Sequence, residues 1–281
     1  MEASVLLEKV LKRLNKNAPI GVVDSGVGGL TVLKHLHQMM PKENFIFIGD
    51  TARTPYGTRT EEELRGFADE MITWLENRGA KLIVFACNTM TMLGVNTLEK
   101  DHQLLLIGMS KGEQLLDIAS RNRKVGVFAT PYTIGTGAHR KAIEEVAPDM
   151  RVFPMPCAKF VPLVEAEKFG TQEVIDAVHE YAVPLKEAGI DSLILSCTHY
   201  PFIQEEIEAE FGSSVKVVDP AKETAMLAKK MLDILGLRRT ENEGSMTICC
   251  TADIERVKRL TARALPEEKV AYQLINLQEN K

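Results

Sequence analysis

Lys81-Leu-Ile-Val-Phe-Ala-Cys-Asn-Thr89 is an apolar run that stops at a cysteine and two small polar residues. Ser192-Leu-Ile-Leu-Ser-Cys-Thr-His199 does the same in the second half of the chain. Short apolar runs bounded in this way read as strands buried on both faces. Each is preceded by a helical pattern that ends at a glycine: Glu61 to Asn77 before Gly79, and Thr171 to Ala188 before Gly189. Working outward, the same alternation continues. Ile20-Gly-Val-Val-Asp24 leads through Ser25-Gly-Val-Gly-Gly29 into a helical pattern with Leu30, Leu33 and Leu36. Asn44 to Gly49 and Lys124 to Ala129 read as strands, and Ile134 to Val146 as a helix. A helix opened by Pro201, a strand Val215 to Asp219 and a helix Thr224 to Leu235 follow. Met246 to Thr251 and Val270 to Leu274 read as a strand pair around a helix of Asp253 to Leu265. Strands alternating with helices predict an α/β fold with mainly parallel sheets. Gly21-Val-Val-Asp-Ser25 resembles Gly126-Val-Phe-Ala-Thr130, and Val84 to Thr89 resembles Ile194 to His199 at nearly the same offset. Repetition at similar offsets suggests duplication of one α/β unit. Leu7, Val10, Leu11 and Leu14 stand at helical spacing, so residues 5–14 read as a short leading helix.

Composition bounds the function. The chain has 281 residues, 45% hydrophobic and 26% charged, which is ordinary for a globular protein. Its net charge is −5, without the basic excess a dedicated nucleic-acid binder needs to neutralise phosphates. Five cysteines, an odd number, argue for reduced thiols, and none has zinc spacing, so no metal is expected. Met1-Glu-Ala-Ser4 lacks a basic leader, and the longest uncharged run, Leu82 to Leu98, carries too much Asn, Thr and Gly to span a bilayer. The expected location is the cytoplasm, with no membrane partner.

Ligands of open α/β sheets sit beyond the carboxyl ends of the strands. Cys87 and Cys197 both occupy that place, each ahead of a helix start that can stabilise a thiolate. Cysteine is often only a small buried hydrophobe. Two in matched positions, one per unit, favour a site, because inversion of a stereocentre needs one group to remove a proton and an opposed group to return it. Cys249 and Cys250 lie inside a strand pattern and read as packing, while Cys157 fits either role.

Asp24-Ser-Gly-Val-Gly-Gly-Leu30, Asp50-Thr-Ala-Arg-Thr-Pro-Tyr-Gly57, Ala86-Cys-Asn-Thr89, Phe160-Val-Pro-Leu-Val-Glu165 and Cys197-Thr-His-Tyr-Pro201 occur in that order. With these motifs the chain from about Ile20 onward resembles glutamate racemase, of the aspartate/glutamate racemase superfamily. Gly26 to Gly29 alone lacks the spacing of a nucleotide loop. The resemblance implies two similar α/β domains facing each other across a cleft: 18–112 with 222–281, and 113–221, after an extension of 1–17. It implies cofactor-independent interconversion of L- and D-glutamate, with D-glutamate supplied for peptidoglycan. Cys87 and Cys197 would transfer the protons, assisted by Asp24, His199 and Glu165. Asp24, Ser25, Pro55, Tyr56, Gly57, Asn88, Thr89, Thr130, Thr136, Thr198 and His199 would hold the substrate. Several have plain structural alternatives: Asp24 as a helix cap, His199 as a structural hydrogen-bonder, Tyr56-Gly57 as a turn, Glu165 as a solvated carboxylate. A racemase for aspartate or another small carboxylate, and a silent binding protein on the same fold, are the other readings. A homodimer is suggested by the resemblance alone. The chain departs from the family at Gly108 to Gly112, at Thr136 and His139 where Ser and Tyr are more usual, and at Pro156-Cys-Ala158. His35 and His37 read as surface residues.

Overall fold

The structure, a computed structural model, describes residues 15–102, 104–115, 119–266 and 268–280. The leading helix read at 5–14 lies outside them. Strands β1 (Ile20–Asp24), β2 (Phe45–Gly49), β3 (Leu82–Phe85), β4 (Leu106–Ile107), β5 (Lys124–Ala129), β6 (Arg151–Pro156), β7 (Ser192–Ser196), β8 (Lys216–Val218), β9 (Met246–Cys250) and β10 (Ala271–Leu274) form two sheets. The first has the order β10-β9-β2-β1-β3-β4, the second β6-β5-β7-β8, and the neighbours run parallel. The helices between them are α1 (Leu30–Met39), α2 (Glu61–Glu76), α3 (Asn88–Thr91), α4 (Val95–His102), α5 (Pro131–Gly135), α6 (Ala138–Val146), α7 (Phe160–Glu165), α8 (Gln172–Ala188), α9 (Gln204–Phe211), α10 (Ala221–Ile234) and α11 (Ile254–Ala264). None among the described residues is long and apolar enough to cross a membrane.

The central strands read as unbroken apolar runs because helices cover both faces. Every residue of β1, β3 and β7 is buried. α2 starts at a capping box in which Thr60 and Glu63 bond each other's backbone N–H, with Glu61 to Glu63 in the positive first turn. α8 stops at Gly189, which takes the left-handed conformation at φ 70°. The two units share one topology: β2-β1-β3-β4 corresponds to β6-β5-β7-β8. They also share a packing detail. A Cβ on Gly21 would lie 2.5 Å from Leu75 on α2, and one on Gly126 2.9 Å from Leu185 on α8. In both units a leucine from the covering helix seats on a bare strand glycine. After β8 the chain returns, packs α10 against α1 and adds β9 and β10 to the first sheet.

Four readings differ from the structure. The helix expected over 134–146 breaks at Thr136-Gly137, where Gly137 is left-handed at φ 66° and α6 begins anew. The helix behind Pro201 begins as a 3₁₀ turn, Tyr200–Ile203, before α9. Strand β6 was not anticipated, because Pro154 and Pro156 break the strand pattern. Proline lacks the ladder donor, and β6 tolerates two because it is an edge strand. His35 and His37 are half-buried, and His37 Nε2 lies 2.9 Å from Glu268. Cys249 and Cys250 are packed in the core, as read.

At the amino ends of β1 and β3, far along the strands from the carboxyl ends, Lys81 is fully buried. Its ammonium donates to Glu43 Oε2 at 2.6 Å and to the carbonyls of Lys16 and Leu237. The other Glu43 oxygen accepts from Arg239 N–H at 2.8 Å.

Candidate active site

The carboxyl ends of β1, β3, β5, β6 and β7 converge on one cavity. Ser25, Pro55 to Thr58 and Cys87 to Thr89 line it from the first unit. Thr130, Pro131, Cys157, Ala158, Val161 and Cys197 to His199 line it from the second. The two cysteines thus enter from different units, each just beyond the end of the corresponding strand, β3 or β7.

The Cys197 wall is a hydrogen-bonded relay. Cys197 Sγ lies 3.9 Å from His199 Nδ1, and His199 Nε2 lies 2.7 Å from Glu165 Oε1. Glu165 also accepts from Val27 N–H at 3.3 Å, and its second oxygen stands 3.3 Å from Arg256 Nη1. Burial alone would lower the His199 imidazole. The hydrogen bonds to Cys197 and Glu165 outweigh it and raise His199 well above the usual histidine range. Burial would raise Glu165, but His199 and Arg256 hold it below the usual carboxylate range. This is the nucleophile–imidazole–carboxylate order that activates a thiol.

The Cys87 wall is built differently. Cys87 caps the start of α3, 3.7 Å from Ser25 Oγ. Burial, with the charge of Asp24 beside it, pushes its thiol up to about 12. Asp24 is fully buried behind Ser25, accepting from Gly26 N–H at 2.8 Å and from Thr198 Oγ1 at 3.0 Å. Burial raises its carboxyl above the usual value, against the lowering effect of His199 and these two donors. A raised carboxyl beside a raised thiol can hold and pass a proton.

The glycine run Gly26-Val-Gly-Gly29 serves close approach between the units. A Cβ on Gly26 would sit 2.2 Å from Glu165 Oε1, and one on Gly28 2.4 Å from His199 Nδ1 and 2.8 Å from its backbone nitrogen. The Asp50 to Gly57 motif also folds on itself. Asp50 accepts from the Tyr56 hydroxyl, from Arg53 at 2.6 Å and from Thr251 at 2.9 Å, which fixes Pro55 to Gly57 against the cavity. The Tyr56 hydroxyl therefore belongs to Asp50. Thr89 and Thr130 meet across the cleft at 3.0 Å.

Of the residues singled out from sequence, Thr136 stands apart: it lies outside the lining, and its hydroxyl donates to Thr133 O. Asp24 and Glu165 support the wall without lining it. Residues not anticipated are Arg256 behind Glu165, and Thr31, whose hydroxyl bonds Gly28 O and Thr198 O. Cys157, ambiguous in sequence, lines the cavity as a buried thiol.

Residues 20–228 match the family described as Asp/Glu/hydantoin racemase. The chain is 35% identical over 256 residues to a glutamate racemase of Microcystis aeruginosa, covering 90% of this chain and 89% of that one. It is 41% identical over 217 residues to one of Lysinibacillus sphaericus, covering 77% and 82%. Among solved structures, glutamate racemase isoform RacE1 of Bacillus anthracis superposes with a TM-score of 0.86 at 31% identity, over 94% of this chain and 99% of that one. The Francisella tularensis enzyme, solved with D-glutamate, gives 0.85 at 30% identity over the same shares.

Proposed function

The chain belongs to the Asp/Glu/hydantoin racemase family and is an amino-acid racemase, and we propose that it interconverts L- and D-glutamate through Cys87 and Cys197 without a cofactor. The observation that carries this reading is one cavity lined by two thiols, one from each unit, with His199 beside Cys197 and the charge of Asp24 acting on Cys87. A racemase must remove the α-hydrogen from one face and return a proton to the other. At Cys197, His199 takes the thiol proton, and Glu165 holds the imidazolium so formed. At Cys87, burial and Asp24 keep the thiol protonated, ready to donate. One turnover exchanges the two roles, and the opposite enantiomer exchanges them back.

Positioned acids and bases each contribute about 10²–10⁴-fold. Stabilisation of the carbanionic charge must supply much of the rest. Ser25, Asn88 and Thr89 offer neutral donors around the cavity for the two carboxylates, with Pro55 to Gly57, Thr130 and Thr198 shaping it. In this reading the D-glutamate formed serves peptidoglycan synthesis.

The test is incubation of dialysed protein with L-glutamate and L-aspartate together in D₂O, followed by proton NMR and chiral analysis. Exchange of the glutamate α-hydrogen with appearance of D-glutamate is expected, and exchange at aspartate alone would replace glutamate as the substrate. Cys87→Ala and Cys197→Ala should each abolish racemisation in a folded protein. Activity retained in either would remove the two-thiol mechanism.

A further inference from the structure

Beside the thiols and their partners, three buried polar side chains stand in a row: His139 on α6, Ser196 at the end of β7 and Asn88 at the start of α3. His139 Nε2 is hydrogen-bonded to Ser196 Oγ, and Ser196 Oγ donates to Asn88 Oδ1 at 3.4 Å. A serine hydroxyl carries one proton. With that proton given to Asn88, Ser196 Oγ is an acceptor toward His139, so His139 Nε2 carries a hydrogen. Burial, with Lys111 nearby, pushes the imidazole down to about 4, which keeps the ring neutral and leaves Nδ1 a bare lone pair. Nδ1 is indeed a buried atom without a partner.

The same row decides which way Asn88 faces. Ser196 is the partner of the Asn88 side chain among the described residues. Asn88 is 2% exposed, it lines the cavity, and its Nδ2 is buried without an acceptor. Anchoring Oδ1 on Ser196 turns the two N–H bonds of Nδ2 away from Ser196. A buried amide nitrogen lacking an acceptor is costly unless a ligand supplies one.

We propose that His139 is a positioning residue: through Ser196 it fixes the Asn88 amide so that Nδ2 donates to a carboxylate oxygen of the amino-acid substrate. This rests on the racemase reading above. His139 stands where the family resemblance leads one to expect Tyr, so the device is one of this chain.

The test combines kinetics with spectroscopy. Wild-type turnover of glutamate examines the racemase reading by itself. Ser196→Ala and His139→Phe should each raise KM for both enantiomers about tenfold or more, as for loss of a hydrogen bond to a charged group, with kcat moved less. The double variant should be no worse than Ser196→Ala, because both break one chain. His139→Gln, whose amide can donate to Ser196, should bring KM back to within about threefold of wild type. In nitrogen-15 spectra of histidine-labelled wild type, His139 should carry its proton on Nε2. A proton on Nδ1, an unchanged KM in Ser196→Ala, or additive KM effects would overturn the proposal. Should wild type fail to turn over glutamate, or His139→Phe fail to fold, the tautomer still decides whether the chain exists.

Discussion

At His199 burial and hydrogen bonding pull in opposite directions, and Cys197 together with Glu165 tips the balance toward the imidazolium. Glu165→Gln removes that charge, so His199 loses its proton at lower pH. The descending alkaline limb of kcat/KM should therefore move to lower pH, with turnover reduced about 10²-fold or more, as for loss of a proton-transfer partner. A pH–rate profile that falls in amplitude without moving would show that Glu165 only orients the ring. Cys87, Cys197 and His199 were legible in the sequence because strand-end position and local motif mark them. Arg256, which bonds Glu165 from 91 residues away, was not, since only folding brings the two together. His139 stood out only as a departure from the family pattern, and its pairing with Ser196, 57 residues away, was hidden for the same reason.

Among elements, the turn between β1 and α1 bears most on the site. Gly28 has an ordinary negative-φ backbone, so alanine there is not strained by conformation. Its methyl would instead drive into the His199 ring and backbone, displacing the relay. Misplacement of a catalytic group by about 1 Å costs about 10²-fold. Gly28→Ala should lose racemisation on that scale while thermal unfolding shows a largely intact fold, and near-wild-type activity would mean the walls yield freely. Strands such as β3 and β7 were readable because burial on both faces enforces an uninterrupted apolar run. Strand β6 escaped because its outer edge makes no demand on proline donors, and the break before α6 escaped because one left-handed glycine ends a helix that periodicity would continue.

For the molecule as a whole, the amino ends of the strands hold the fold while the carboxyl ends hold the chemistry. Lys81 and Glu43 tie together the segments around residues 16, 43, 81 and 237. Lys81→Met leaves Glu43 buried and unpaired, and should cost about 3–5 kcal/mol in denaturant unfolding, with Glu43→Leu added to it recovering part of the loss. A double variant as unstable as the single would mean that the backbone bonds matter more than the charge pair. At the other end the cavity measures about 40 Å³. Small-ligand pockets usually span about 300 Å³ or more, so the cavity as it stands is far tighter than such a pocket. Hydrogen bonds that cross between the two units include Asp24–Thr198, Thr31–Thr198, Val27–Glu165, Thr89–Thr130 and the longer Asn88–Ser196. The walls themselves are unequal, with an imidazole beside one thiol and a carboxyl behind the other. Mirror-image substrates have equal free energy, so the Haldane relation holds kcat/KM identical in the two directions. Inequality of the walls therefore cannot favour either product. It can only divide the same specificity constant differently between turnover and saturation, by setting which protonation form of the free enzyme waits for its next enantiomer.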